Sequence, residues 1–213
     1  MVRTSGGENS EGIESKNIMT ISGGEVLVSA YDDCINASKH ISISGGSVYA
    51  YSSSNDGIDS NGTLSISGGI VVCSGTTVPE EGIDCDSNTF TITGGTIIGI
   101  GGASSTPTAS VTTQPVIIYG GSGSAGTYIA LNAADGTNIL SYKIPRAYNQ
   151  MTLLVSSPSL SKGSTYTLQS GGSVSGGTTF HGLTTGGTWS GGSQLTSTSL
   201  SSTVTTINVS GGG

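Results

Sequence analysis

At 213 residues, with 36 glycines, 9% charged residues and a formal net charge of −7, the chain is unlike a coiled coil or most helical enzymes, and its composition suits many short strands joined by turns. The charge is segregated: residues 1–102 hold twelve acids against three bases, a net of −9, and residues 103–213 hold one acid against three bases, a net of +2. So much negative charge argues against nucleic acid or an anionic membrane as partner, and a cation is its natural counterpart.

The first hundred residues repeat. Four acidic signatures, Glu11-Gly12-Ile13-Glu14, Asp33-Cys34-Ile35-Asn36, Asp56-Gly57-Ile58-Asp59 and Glu81-Gly82-Ile83-Asp84, are each followed six or seven residues later by Ile-Ser/Thr-Gly-Gly, and their isoleucines lie 22, 23 and 25 residues apart. A unit of this length cannot bury its own apolar face, so it stacks on copies of itself as a solenoid. Superposed repeats give apolar columns: Met19, Ile41, Leu64 and Phe90, then Ile21, Ile43, Ile66 and Ile92, then Val26, Val48, Val71 and Ile97. Thr20, Ser42, Ser65 and Thr91 alternate with the first two columns, which is the period-two pattern of a strand buried on one face. Strand, Gly-Gly corner, strand and acidic turn together make about 22 residues, one coil of a three-sided parallel β-helix. The Gly-Gly pairs are the expected bends, where φ > 0 or close backbone approach excludes a Cβ.

Beyond the repeats, Ala103 to Pro115 reads as a loop that breaks the rhythm, and Val116 to Gly121 as a fifth, degenerate strand of the stack. Thr127 to Ile144 alternates around Asp135-Gly136, a hairpin signal. Met151 to Val155 and Thr165 to Gln169 are further strands, and the Gly pairs after Ser170 mark irregular strands that cover the end of the solenoid, whose open edge needs a cap. The division is therefore residues 1–121, a parallel β-helix with acidic repeats, and 122–213, a C-terminal β region packing on it or capping it. Cys34, Cys73 and Cys85 form no C-x-x-C pair and no even set, and read as small buried residues. No segment reads as a secretory signal, a membrane span or a lipidation motif. The Ser/Thr/Gly texture points to an extracellular or bacterial cell-surface protein whose export signal and preceding coils are missing from this chain.

Stacked carboxylates repel unless a cation bridges them: at about 4.8 Å two full charges cost roughly 1 kcal/mol in water and several times more at lower dielectric. Acids from adjacent coils, with carbonyls and water, can supply the six to eight oxygens that Ca²⁺ takes at about 2.3–2.6 Å. The candidate ligands are Glu11, Glu14, Asp33, Asn36, Asp56, Asp59, Glu81 and Asp84, with Asp32, Glu80 and Asp86 beside them. A soft metal fits less well, because His40 and His181 lie outside the column and the cysteines lack ligand spacing. Against the calcium reading stands a plain hydrated acidic edge.

These residues resemble the bacterial carbohydrate-binding domain family of right-handed parallel β-helix proteins carried by plant-fibre-degrading anaerobes, whose repeats run Asp-Asp-Gly-Ile-Asp/Asn…Ile-Ser-Gly-Gly. The matching stretches are Glu11 to Gly24, Asp32 to Gly46, Asn55 to Gly69 and Glu80 to Gly95, and the segment from Thr165 through Phe180-His181-Gly182-Leu183 resembles the family's C-terminal part. The resemblance implies a right-handed, calcium-containing, non-catalytic surface protein that adheres to cellulose and to acidic pectin-type polysaccharide, with a fold similar to pectate lyases. Cys34 departs from the family's Gly, and Glu replaces Asp in the first and fourth signatures, which puts individual metal sites in question.

Aromatic rings are the usual seats for sugar faces, and Tyr49, Tyr51 and Trp189 are the chosen candidates, with Tyr31, Tyr148 and His181 behind them. Tyr49 also belongs to an outward stripe with Leu27, Val72 and Ile98, and exposed apolar stripes mark contacts; the competing reading is that the C-terminal region folds back over that stripe. A polyuronate lyase would need a Lys or Arg base beside Ca²⁺. Only Lys16 and Lys39 follow the signatures, and both read as solvated turn residues, so no catalytic set is assigned. A further alternative is a filament subunit, a homo-oligomer joined head to tail through exposed end coils.

Overall fold

A computed structural model describes residues 1–4 and 6–209. Among these residues there are strands and no helix, hence none long and apolar enough to cross a membrane. The acidic repeats wind into a parallel β-solenoid of about four turns. β1 (Val2–Arg3) lies one turn before the first full coil, which contains β2 (Ile13–Ser15), β3 (Ile18–Ile21) and β4 (Glu25–Ala30). The second contains β5 (Ile35–Ala37), β6 (His40–Ile43) and β7 (Ser47–Ser52). In the third, β8 (Ile58–Ser60) precedes β9 (Thr63–Ser74), and in the fourth, β10 (Ile83–Asp84) precedes β11 (Phe90–Gly101); β9 and β11 each run through the Gly-Gly corner and serve two faces.

The three faces follow from the registers. One is the parallel sheet β2, β5, β8, β10, with Ile13, Ile35, Ile58 and Ile83 as successive partners. The second is β3, β6 and the first halves of β9 and β11. The third is β1, β4, β7 and the second halves of β9 and β11. Side chains pointing inward form one apolar core that includes Ile35, Ile43, Ile58, Ile66, Ile83 and Ile92, all fully buried. Burying each such side chain contributes roughly 1.5–3 kcal/mol, and the stacking supplies what a single 22-residue coil cannot.

The two glycines of each corner serve different needs. The second takes a positive φ, between 76° and 92° at Gly24, Gly46, Gly69 and Gly95. The first does not, but a Cβ at Gly45, Gly68 or Gly94 would come within 2.7, 2.5 or 2.3 Å of the carbonyl oxygen of Ser22, Ser44 or Ser67 in the coil before.

Past β11 the stack changes character. Residues 103–114, expected as a loop, trace an irregular fifth turn: Ser105, Thr108 and Thr113 donate backbone N–H groups to the carbonyls of Ile83, Phe90 and Ile92. The strand β12 (Val116–Gly123) then lies in the solenoid sheet but not against β11. Between them runs β15 (Tyr148–Ser156), antiparallel to both, and β22 (Val204–Ile207) pairs with the far side of β12. This corrects the expectation of a fifth parallel strand. The physical reason is that β15 is apolar on both sides, Leu154 entering the solenoid core while Leu153 and Val155 face the outside cluster, as a strand buried on both faces requires.

The expected hairpin forms as β13 (Tyr128–Ala133) and β14 (Asn138–Lys143), with Gly136 at φ 86°. Together with β16 (Thr165–Ser170), β18 (Thr178–Phe180), β19 (Leu183–Thr185) and β21 (Ser193–Ser199) they make an antiparallel six-stranded sheet. A small ribbon, β17 (Ser173–Ser175) with β20 (Thr188–Ser190), completes the region. The six-stranded sheet packs sideways on the third face: Val72, Ile98 and Ile117 share a cluster with Leu131, Leu140, Tyr142 and Leu168. The apolar stripe beginning at Leu27 is therefore covered over Val72 and Ile98, both fully buried.

Candidate functional site

The first face carries the acids in two rows. In the outward row, Glu14, Asn36, Asp59 and Asp84 are direct register partners. In the row at the turn, Asp33, Asp56 and Glu81 stack as a hydrogen-bonded ladder. Their carbonyls accept the N–H groups of Gly12, Cys34 and Gly57 from the coil before. Their carboxylates accept the N–H groups of Asp56, Glu81 and Ser105 from the coil after. Asn36 ties the rows together, donating from Nδ2 to Asp33 Oδ2 at 3.2 Å and to Asp59 Oδ2 at 2.6 Å. Asp32 adds a parallel rung, accepting from the Asn9 N–H and from Asn55 Nδ2.

The ladder is short of positive charge. Among the described residues Lys16 with Glu14 is the one ion pair, so Asp33, Asp56, Asp59, Glu81 and Asp84 have none. Burial, opposed by the Glu81 N–H and reinforced by the Asp33 charge, pushes Asp56 up to about 9. Burial and the neighbouring Asp33 and Asp84 charges push Asp59 up to about 8. Burial and Asp84 push Glu81 up to about 7, although Ser105 donates to it. Burial also raises Glu11, Asp33 and Glu80 above the ordinary carboxylate range. These are carboxyls that either hold a proton at neutral pH or need a cation.

Among the described residues no group of three or more His, Cys, Asp or Glu side chains converges as a metal site. What the rows do bring together are pairs: Asp33 and Asp59 around the Asn36 amide, and Glu81 and Asp84 around Ser105. At the first coil, Glu11 Oε2 is buried without a hydrogen-bond partner. Oxygen-only donors of this kind are the type a hard cation takes, with carbonyls and water for the rest of its shell. They do not fit a thiol-bound metal, since Cys34, Cys73 and Cys85 are buried free thiols, with Cys34 pushed up to about 12 by burial.

Cys34 stands where the other three signatures have glycine. A Cβ at Gly12 would lie 2.2 Å from Val28 Cγ1 and 2.4 Å from the Cys34 carbonyl oxygen, and one at Gly57 would lie 2.7 Å from the Gly82 carbonyl oxygen, 2.8 Å from the Ser74 nitrogen and 3.0 Å from Cys73 Cβ. The equivalent facing residue in the second coil is Ala50, smaller than either.

The sugar-binding candidates lie off the acid rows, and two of the three are neighbours. Tyr49 and Tyr51 project from the outer side of β7, both half-buried. Tyr49 stacks on His181, with centroids 3.8 Å apart and planes at 14°, and Phe180 meets His181 edge-on at 4.7 Å. Tyr51 carries the Arg146 guanidinium over its ring at 4.2 Å. Trp189 lies elsewhere, opposite Val174 in the β17–β20 ribbon and closed over Gly172 and Gly192. Sequence reasoning did not find Arg3 or Arg146, which flank Tyr51, nor Ser105 at the end of the ladder. The available signal was that Arg3 and Arg146 are the only arginines in the chain.

Residues 3–57 match the model of a family described as "Carbohydrate-binding domain-containing protein". This match supports carbohydrate binding, with a polysaccharide as partner, and its span holds both Tyr49 and Tyr51. Comparison with curated proteins and with solved structures returns no match.

Proposed function

We propose that this chain is a calcium-stiffened, non-catalytic polysaccharide-binding protein of the extracellular space or bacterial cell surface, adhering to plant cell-wall glycans such as cellulose or polygalacturonate. The observation that carries the reading is the family match over residues 3–57, which encloses the paired tyrosines on the outer side of β7. A rigid strand holds the two rings two residues apart, about 6.6–6.8 Å along the chain, and a linear polymer would meet them with one face of Tyr49 already taken by His181 and one face of Tyr51 by Arg146.

Calcium acts here as a structural ion, joining coils through Asp33, Asn36, Asp56 and Asp59 in the middle of the stack and through Glu81 and Asp84 at its end, with Glu11 and Glu14 in the first coil. Bound cation would neutralise carboxyls that burial otherwise keeps protonated. Neither lysine of the repeats stands as a lyase base: Lys16 is engaged with Glu14, and Lys39 is exposed. The test is affinity electrophoresis of the whole chain in gels containing hydroxyethyl cellulose or polygalacturonate. Retardation that weakens in Tyr49→Ala or Tyr51→Ala is expected; unretarded migration in both gels overturns the binding reading. Melting in calcium and in chelator tests the ion, at 100 times its dissociation constant worth about 2.7 kcal/mol.

A further inference from the structure

Asn61-Gly62 is the one Asn-Gly pair in the sequence, and it forms the bend between β8 and β9. After an asparagine, glycine is the residue whose backbone nitrogen most readily reaches the side-chain amide carbon, because no Cβ stands in the way. Stacking demands this glycine for a separate reason: a Cβ at Gly62 would strike the Lys39 carbonyl oxygen of the coil before. Among the described residues the Gly62 N–H donates to nothing, since the Thr63 N–H takes the Lys39 carbonyl at 3.1 Å. At the same register position in the second coil, the Lys39 N–H is held by the Asn17 carbonyl at 2.9 Å. The Asn61 side chain is equally accessible. It is exposed, its Nδ2 donates to Asp59 Oδ2 at 3.1 Å, and its carbonyl accepts from Asn88 Nδ2 at 3.5 Å. Asn36, by contrast, is buried, bonded to two carboxylates and followed by Ala37 within β5.

From this we infer that Asn61 is a self-modification site, at which the folded chain converts a side-chain amide into a carboxylate without an enzyme. The Gly62 nitrogen attacks Asn61 Cγ, and the C–N bond that forms closes a succinimide ring. The Cγ–Nδ2 bond breaks, and the side-chain nitrogen leaves as ammonia with the proton that the Gly62 N–H gives up. Water then opens the ring. Hydrolysis of the new bond returns an ordinary aspartyl backbone, and hydrolysis of the original Asn61–Gly62 bond leaves an isoaspartyl link through the side chain. Water is the one co-reactant, and nothing is oxidised or reduced. Either product replaces a donor to Asp59 by a group that accepts and carries negative charge, beside the outward row of Glu14, Asn36, Asp59 and Asp84. The acid row thereby gains a charge as the protein ages, at a place fixed by the glycine that stacking demands. The inference does not rest on polysaccharide binding.

The experiment ages the full chain at mildly alkaline pH, where the attacking nitrogen loses its proton more readily, and maps its peptides by mass spectrometry. An isoaspartyl-specific methyltransferase marks the rearranged product. Asn61 is expected to exchange NH2 for OH faster than any other asparagine by about tenfold or more, which is about 1.4 kcal/mol of barrier. A sample aged in guanidinium chloride reads the effect of the fold, and the folded rate at Asn61 is expected to stay within about tenfold of the unfolded one. On ion exchange a more acidic species should grow in at the rate of the Asn61 exchange. It should be missing from Asn61→Gln, whose longer side chain must close a larger ring. Asn61 left intact in the folded chain while it converts in denaturant overturns the inference. So does another asparagine that converts first, or an acidic species that persists in Asn61→Gln.

Discussion

Asn36 is the residue at which a cation-bridged column and a plain acidic ridge give opposite results. It is buried, and its amide bridges Asp33 and Asp59. Asn36→Ala removes both donors and adds no charge. Hydrogen bonds to charged groups contribute about 1.5–3 kcal/mol each, but Asp33 keeps the Asp56 N–H and Asp59 keeps Asn61 Nδ2. A net loss of about 3 kcal/mol, or about 6–12 °C in Tm for a chain of this size, is the expectation. Asn36→Asp loses the same donors and adds a third carboxylate, for which each like-charged neighbour at about 4 Å costs about 4 kcal/mol at an effective dielectric of 20. The new acid can escape by taking a proton, and that escape caps the added penalty at about 4 kcal/mol at pH 7 and about 1.5 kcal/mol at pH 5. In chelator, followed by circular dichroism, Asn36→Asp should therefore melt below Asn36→Ala at pH 7 and by a smaller margin at pH 5. In calcium the order should reverse, because three carboxylates then face one cation. Equal melting of the two variants in chelator at pH 7 would refute the electrostatic argument, and equal rescue by calcium would refute the bridging.

Two further outcomes follow from the same geometry. In chelator the wild-type chain should be most stable in acid: Asp56, Asp59 and Glu81 titrate at about 9, 8 and 7 when folded but near 4 when unfolded. The folded state then binds more protons, and stability, full below about pH 4, falls as pH climbs toward 7–9; a Tm that rises from pH 4 to 8 contradicts this. The corner glycines should separate by coil, since a Cβ at Gly23 meets nothing within 4 Å whereas one at Gly68 meets the Ser44 carbonyl oxygen at 2.5 Å. Urea unfolding should show Gly23→Ala within about 0.5 kcal/mol of wild type and Gly68→Ala destabilised by about 2 kcal/mol or more.

The solenoid was legible because stacking forces chemistry into columns. Ile13, Ile35, Ile58 and Ile83 are register partners as their spacing requires, and so are Glu14, Asn36, Asp59 and Asp84. The irregular fifth turn was not legible, because Ser105, Thr108 and Thr113 continue the ladder with backbone N–H groups, which every residue but proline possesses. Nor was the insertion of β15 between β11 and β12, since an apolar run such as Met151 to Val155 reads the same whether its neighbours are parallel or antiparallel. The aromatic site was half legible: Tyr49 and Tyr51 stand on one strand, but Arg146 reaches Tyr51 from 95 positions away along the chain, a distance over which no spacing rule operates.

The way the acid ladder ends bears on how a charged column can be built at all. Each of Asp33, Asp56 and Glu81 fastens its coil to the next by a carboxylate that accepts the following N–H, so every rung places a charge that the next rung must tolerate. An ionised carboxylate only accepts, whereas a hydroxyl both accepts and donates. Ser105 uses both capacities: its Oγ accepts the Cys85 N–H and donates to Asp84, while its own N–H closes on Glu81. The substitution of hydroxyl for acid at this point satisfies the last coil without handing a charge upward. It also leaves Glu81, Asp84 and Asp86 on the wall of a cleft of about 370 Å³ faced by Gln150 and Thr152 of β15. The antiparallel strand that ends the parallel stack therefore brings neutral polar side chains, not further carboxylates, to the last acids, which is the arrangement that keeps repulsion from growing with each added turn.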